Sequence, residues 1–158
     1  MKRHTLRRTQ QLYCDAETAW HFFSSPNNLA QITPKSLNFV VLTKLESEEI
    51  FEGMLLDYKV TPLLGIALRW QTVIKQVTPN KRFADFQQKG PYKYWNHQHE
   101  FIPNEGGVLM KDTIEYELPL GFIGEILHRV VVKKKLQYIF DYRYEKLELL
   151  INNKKQPI

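Results

Sequence analysis

Two histidines one residue apart, His97 and His99, sit in the stretch FQQKGPYKYWNHQHEF (residues 86–101), behind a Gly90-Pro91 pair and near Trp95. Imidazole titrates near neutrality and binds metals through nitrogen, so such a pair can hold a metal, move a proton or give a pocket wall a polar patch. On a strand, residues two apart share a face, which puts both rings on one side. A stable metal site wants three or four protein ligands. Asp85 or Asp112 could add an oxygen, but His4, His21 and His128 show no ligand spacing. Cys14 is the one cysteine, which excludes a cysteine-based zinc cluster. No Gly-rich phosphate loop and no nucleophile motif accompanies the pair. Neither a metal nor another cofactor is therefore expected. An acid–base reading narrows to His97 and His99 with Asp85 and Asp112 as proton-transfer groups.

Turn signals and periodicity supply the elements that would position these groups. Residues 5–13 read as a strand, and Asp15 as the N-cap of a helix over 16–23 with Glu17 in its first turn. Asn28 to Ile32 read as a second short helical turn, closed by Thr33-Pro34. Strands follow at 37–45, 54–61, 66–77, 82–88, 94–102 and 108–119. They are punctuated by Gly53, Pro62–Gly65, Thr78-Pro79-Asn80, Lys89-Gly90-Pro91 and Asn104-Glu105-Gly106-Gly107. After Pro119 the period becomes helical, in one long helix starting near Gly121. Its stripe is Val132, Leu136, Ile139, Phe140, Leu147 and Leu150. Arg143 interrupts the stripe, and its long side chain is expected to snorkel. Short hairpin links imply an antiparallel sheet, and the long helix is its natural cover. The fold class is α+β, with about seven strands against a C-terminal helix.

Alternation then sorts the side chains. Trp95, His97, His99 and Phe101 share one face of their strand, opposite Tyr94, Asn96, Gln98 and Glu100. Phe83, Asp85 and Gln87 lie together. Val108, Met110, Asp112, Ile114, Tyr116 and Leu118 oppose Leu109, Lys111, Thr113, Glu115 and Glu117, and Met54, Leu56, Tyr58 and Val60 face inward. Trp70 goes with Leu68, Thr72 and Ile74. The inner face thus carries Asp85, Gln87, His97, His99 and Asp112 among large apolar groups. Each buried polar group left unpaired costs roughly 1–3 kcal/mol, so these five must pair with one another or with water. A partly hydrated cavity accommodates them where a solid core would not. The candidate ligand-binding set is Tyr58, Trp70, Asp85, Gln87, Tyr92, Trp95, His97, His99, Met110, Asp112, Ile114 and Tyr116.

The order of elements, with two small helices after the first strand and a long C-terminal helix gripping a curved antiparallel sheet, resembles the START-like (SRPBCC, helix-grip) superfamily. That group includes birch-pollen-allergen-like proteins, polyketide cyclases and coenzyme-Q-binding proteins. The likeness spans nearly the whole chain. A narrower resemblance rests on WQTVI at 70–74, Phe83-Ala84-Asp85, Gln87, Gly90-Pro91-Tyr92, WNHQHEF at 95–101 and YELPLG at 116–121. These look like a bacterial subgroup of ligand-binding START-like proteins that also occurs fused ahead of NAD-dependent epimerase-like domains. The resemblance implies a cavity between sheet and helix for a lipid, quinone or polyketide-like molecule. It also implies an epimerase-like partner acting in trans. Some members of the superfamily are cyclases or hydratases.

Composition bounds the alternatives. The chain has 158 residues, 43% hydrophobic and 13% aromatic, which suits one globular domain over 1–152 with a frayed tail at 153–158. Its net charge of +5 is dispersed, and the one tight run, Lys133-Lys134-Lys135, reads as a solvated helix face. A nucleic-acid partner is not expected, whereas a basic exterior leaves room for a protein or membrane-surface partner. The start is basic and lacks a signal-peptide core, and no apolar run approaches the ~18 residues of a membrane span. The expected setting is cytoplasmic, without stable membrane insertion.

Overall fold

The computed structural model describes residues 2–45, 47–63 and 65–153. Among these residues, seven strands form one antiparallel sheet. They are β1 (His4–Leu12), β2 (Val40–Val41), β3 (Leu55–Leu63), β4 (Ile66–Thr78), β5 (Arg82–Lys89), β6 (Tyr94–Asn104) and β7 (Gly107–Glu117). Their spatial order is β1-β7-β6-β5-β4-β3-β2. Each link from β3 onward is thus a hairpin, whereas β1 precedes a long connection and pairs with the last strand, β7. The helices α1 (Ala16–Phe23) and α2 (Pro26–Leu29) fill that connection, with single 3-10 turns at Ala30–Ile32 and Lys35–Leu37.

Asp15 caps α1, its carboxylate accepting from the Thr18 N–H at 2.7 Å, as the sequence requires of a helix opening on a polar residue. At the β6–β7 turn Gly107 has φ +125°, and a Cβ there would stand 2.3 Å from the Leu12 carbonyl. Only glycine fits. Along β4 the register slips at Gln71/Thr72 and again at Lys75/Thr78, where Gln76 takes φ 57°. Such bulges bend a strand and increase its twist, and here they curve the sheet toward the helix.

The long helix runs from Gly121 to Asn152 through α3 (Gly121–Leu127), a π turn (His128–Val132), α4 (Lys133–Leu147) and a second π turn (Glu148–Asn152). Val132, Leu136, Phe140 and Leu147 are buried, as their spacing predicts, with Ile139 and Leu150 packed beside them. Two expectations fail. Residues 37–45 are not a full strand, because Lys35–Leu37 winds as a 3-10 turn, Asn38 has φ 45° and only Val40–Val41 pair with β3. Their β-branched and aromatic content reflects Leu37 burying itself and Phe39 and Val41 packing on the core, not ladder formation. Arg143 does not snorkel. It is buried with the stripe, at 7% exposure. The expected tail beyond residue 153 lies outside the described residues.

Candidate functional site

The sheet curves around the helix unevenly and leaves a cavity of about 390 Å³. Tyr58, Trp70, Thr72, Asp85, Trp95 and His97 line it from the sheet; Leu136, Ile139, Phe140 and Arg143 line it from the helix. Tyr92 closes one side, from the turn after β5. Leu120, Ile123 and Leu127 border it where the helix begins. The wall is aromatic on the sheet side: Trp70 and Trp95 meet edge to face at 5.1 Å, and Tyr92 lies 4.8 Å from Trp95. A smaller cavity shares Leu29, Tyr58, Asp85 and Arg143 and is walled by Phe83 and His99.

Pairing register puts the polar residues side by side. Asp85 opposes His97 across β5–β6, and His99 opposes Asp112 across β6–β7. His97 Nε2 lies 3.2 Å from Asp112 Oδ1, and His99 Nε2 lies 3.2 Å from Asp85 Oδ2. His99 Nδ1 approaches Asp112 Oδ1 to 2.7 Å, but off the line of an N–H bond. That contact is one of charge. The rings of His97 and His99 are 3.9 Å apart.

This geometry splits the two histidines. Burial favours the neutral form of both. For His97, burial and the neighbouring charge of His99 prevail over Asp112 and hold the pKa at about 4. For His99, burial is outweighed by Asp112 and Asp85, which raise the pKa to about 9. His99 is therefore the imidazolium and His97 the neutral ring at pH 7. Burial would raise both carboxyls, yet His99 holds Asp112 and Asp85 below the ordinary carboxylate range, with Arg143 assisting at Asp85. Burial and the charge of Asp85 push the Tyr58 hydroxyl up, despite the Thr72 hydroxyl beside it.

Arg143 is the residue that reading the sequence missed as a site. Burial lowers its pKa, against the attraction of Asp112 and Asp85, yet Nε and Nη1 make no hydrogen bond. Its guanidinium lies 4.9 Å from the Phe140 ring centre. The signal was present: Leu136, Phe140, Arg143 and Leu147 recur at steps of four, three and four, so the cation occupies a core position of the stripe.

Of the twelve expected site residues, Tyr58, Trp70, Asp85, Tyr92, Trp95 and His97 line the larger cavity. His99 faces the smaller one, and Asp112 supports both histidines from behind. Gln87 instead braces the hairpin, its amide N–H donating to the Tyr92 carbonyl at 2.8 Å. Met110, Ile114 and Tyr116 are packed in the core. The Tyr116 hydroxyl bonds His128 Nε2 at 2.9 Å, and burial followed by Glu125 pushes its pKa up to about 12.

Asp85, His97 and His99 each offer one ligand atom, all within 4.8 Å of one another, which matches a three-ligand metal site in type and number. Both Nε2 atoms are already engaged by carboxylates, however, and Arg143 stands at the same wall. The carboxylates of Asp112 and Asp85 thus account for both Nε2 atoms without a metal. Among the described residues, no helix is long and apolar enough to cross a membrane.

No family model and no curated protein matches the sequence. Solved structures do match the fold. A START superfamily protein from Mycobacterium smegmatis superposes with a TM-score of 0.71 at 15% identity, over 96% of this chain and 99% of its own. TTHA0849 from Thermus thermophilus gives 0.69 at 17% identity, over 98% and 100%. SA2116 of Staphylococcus aureus, a protein of unknown function, gives 0.63 at 13% identity, over 98% of both chains. The chain has the START-like helix-grip fold.

Proposed function

We propose that the protein is a single-domain binder of a hydrophobic or amphipathic small molecule, held between the sheet and the long helix. One observation carries this reading: a cavity of about 390 Å³ with aromatic and aliphatic walls and one polar pole at Asp85, His97 and Arg143. Ligand sites have this character, mostly apolar with a few convergent polar groups. A lipid, quinone or polyketide-like molecule fits that chemistry, in keeping with the superfamily the sequence resembles, and a single buried cysteine suits a reducing, cytoplasmic setting. Native mass spectrometry of the freshly purified protein tests the reading. A co-purifying apolar mass, displaced by adding a competing amphiphile, is the expected result. A protein that carries nothing and takes up no amphiphile contradicts it.

A second reading rests on the split pair. An imidazolium (His99, raised by Asp112 and Asp85) and a neutral imidazole (His97, lowered by burial and His99) form an acid and a base at the walls of adjoining cavities. A cyclase- or hydratase-like proton transfer would use them. His97→Ala or Asp85→Asn would then abolish turnover of a candidate substrate while binding persists. Loss of binding and turnover together would assign these residues to recognition alone.

A further inference from the structure

The groups that lack a partner around the cavity identify the head of its ligand. Arg143 is buried, lines both cavities, and leaves Nε and Nη1 unbonded. Trp70 lines the larger cavity and leaves its indole N–H unbonded. Both are pure donors: guanidinium and indole carry no acceptor, while the other unbonded group at this wall, the Thr72 hydroxyl, can donate or accept. Of the carboxylates at the same pole, Asp85 is held through Oδ2 by His99, and Asp112 by both histidines. A cationic ligand head would meet the Arg143 guanidinium, and a neutral hydroxyl head would leave it without an anion. A buried guanidinium without a bonded anion is also unfavourable in its own right.

We propose that the cavity takes an amphiphile with a carboxylate head, seated on Arg143 with a further bond from the Trp70 N–H, its alkyl chain running along Leu136 and Ile139 toward the opening at Ile123. This rests on the binding reading above and narrows it to fatty-acid-like anions. Carboxylates pair with guanidinium through charge-assisted bonds of about twice the ordinary strength. The walls away from Arg143 suit the chain. Lys135, half-buried at the same wall, adds a second positive charge on the route out. Among the described residues Asp85 is the one carboxylate lining the cavity, and its charge is absorbed by His99.

The test compares ligands of one chain length on the wild-type protein by calorimetry: decanoate, decan-1-ol and decyltrimethylammonium. Decanoate should bind at least about tenfold tighter than decan-1-ol, the margin of one charge-assisted pair, and decyltrimethylammonium weakest. In Arg143→Met the decanoate preference should vanish while decan-1-ol still binds. Arg143→Gln, which keeps the length and a neutral donor, should retain part of the preference. Trp70→Phe should weaken decanoate by about threefold, as loss of one neutral donor does. Equal affinity for decanoate and decan-1-ol, or a preference that survives in Arg143→Met, overturns the carboxylate assignment and leaves the apolar binder standing. Binding of none of the three overturns both. Because the wild-type comparison uses no variant, a failure of either Arg143 substitution to fold does not shelter the proposal.

Discussion

The two ends of the long helix are held in different ways. At its C-terminal end Gln10 donates to the Tyr144 carbonyl at 3.0 Å and to Glu148 Oε1 at 2.8 Å. Asn152 accepts from the Tyr13 N–H at 2.9 Å and donates to the Gln11 carbonyl at 3.0 Å. Leu147 is fully enclosed between these ties. At the N-terminal end Leu120 takes φ 68° and supplies no side-chain cap, and Phe122 is 81% exposed. That end is tied to the sheet by His4, which stacks on His128 at 3.6 Å and bonds Glu125 at 3.0 Å. One end closes a core; the other borders an opening. The helix grips by one hand, and the cavity exists because the other is lifted.

Substitutions can break or sharpen this contrast. Asp112→Ala should have the largest effect, about 3–5 kcal/mol in urea denaturation, because it strips the partner from two buried imidazoles. At the closed end, Leu147→Ala should cost about 3 kcal/mol, since well-packed surroundings relax little into the void. Val132→Ala, beside the cavity, should cost nearer to about 1 kcal/mol, because the space it leaves joins one that already exists. If Val132→Ala proves as costly as Leu147→Ala, the contrast between the two ends fails. Phe122→Ser should change stability by less than about 0.5 kcal/mol, as exposed positions do.

The same pole sets a pH optimum. His99 has its folded pKa raised, to about 9, so its stabilisation is whole below about 6.5 and fades as pH rises through 9. His97 has its folded pKa lowered, to about 4, so its stability is whole above about 6.5 and is lost as pH falls toward 4. Unfolding free energy should therefore peak near pH ~6–7 and decline on both sides. In His99→Gln the alkaline decline between about pH 7 and 9 should vanish, and the acid one should shrink, because the charge that lowers His97, Asp85 and Asp112 is gone.

How far the sequence reached can be read from particular residues. Period-two alternation in β6 and β7 is complete: Trp95, His97, His99 and Phe101, and Val108, Met110, Asp112, Ile114 and Tyr116, are all buried. Hence the histidine–aspartate cluster was legible. Alternation gives a face, however, and not a position along the grip. Met110 and Ile114 share that face with Asp112 yet meet side chains rather than space. Gln87 braces the hairpin for a local reason: Gly90, where a Cβ would fall 2.3 Å from the Gln87 oxygen, lets the amide fold back on the turn. Arg143 escaped because a long cation on an apolar stripe ordinarily reaches the surface, and only the tertiary fold shows that it is buried at the cavity instead. The strand expected at 37–45 gave way to burial, since an apolar run serves a packed loop as well as a ladder.

The placement of the three tryptophans has a practical consequence. Trp70 and Trp95 line the cavity, whereas Trp20 is buried in the closed core, its indole N–H on Glu49 at 3.3 Å. Emission from the first pair should respond to anything entering, while Trp20 stays constant and serves as an internal standard. Trp20→Phe would leave a chain whose whole tryptophan fluorescence reports occupancy, so a library of compounds could be screened without label or dye, whatever the ligand's identity.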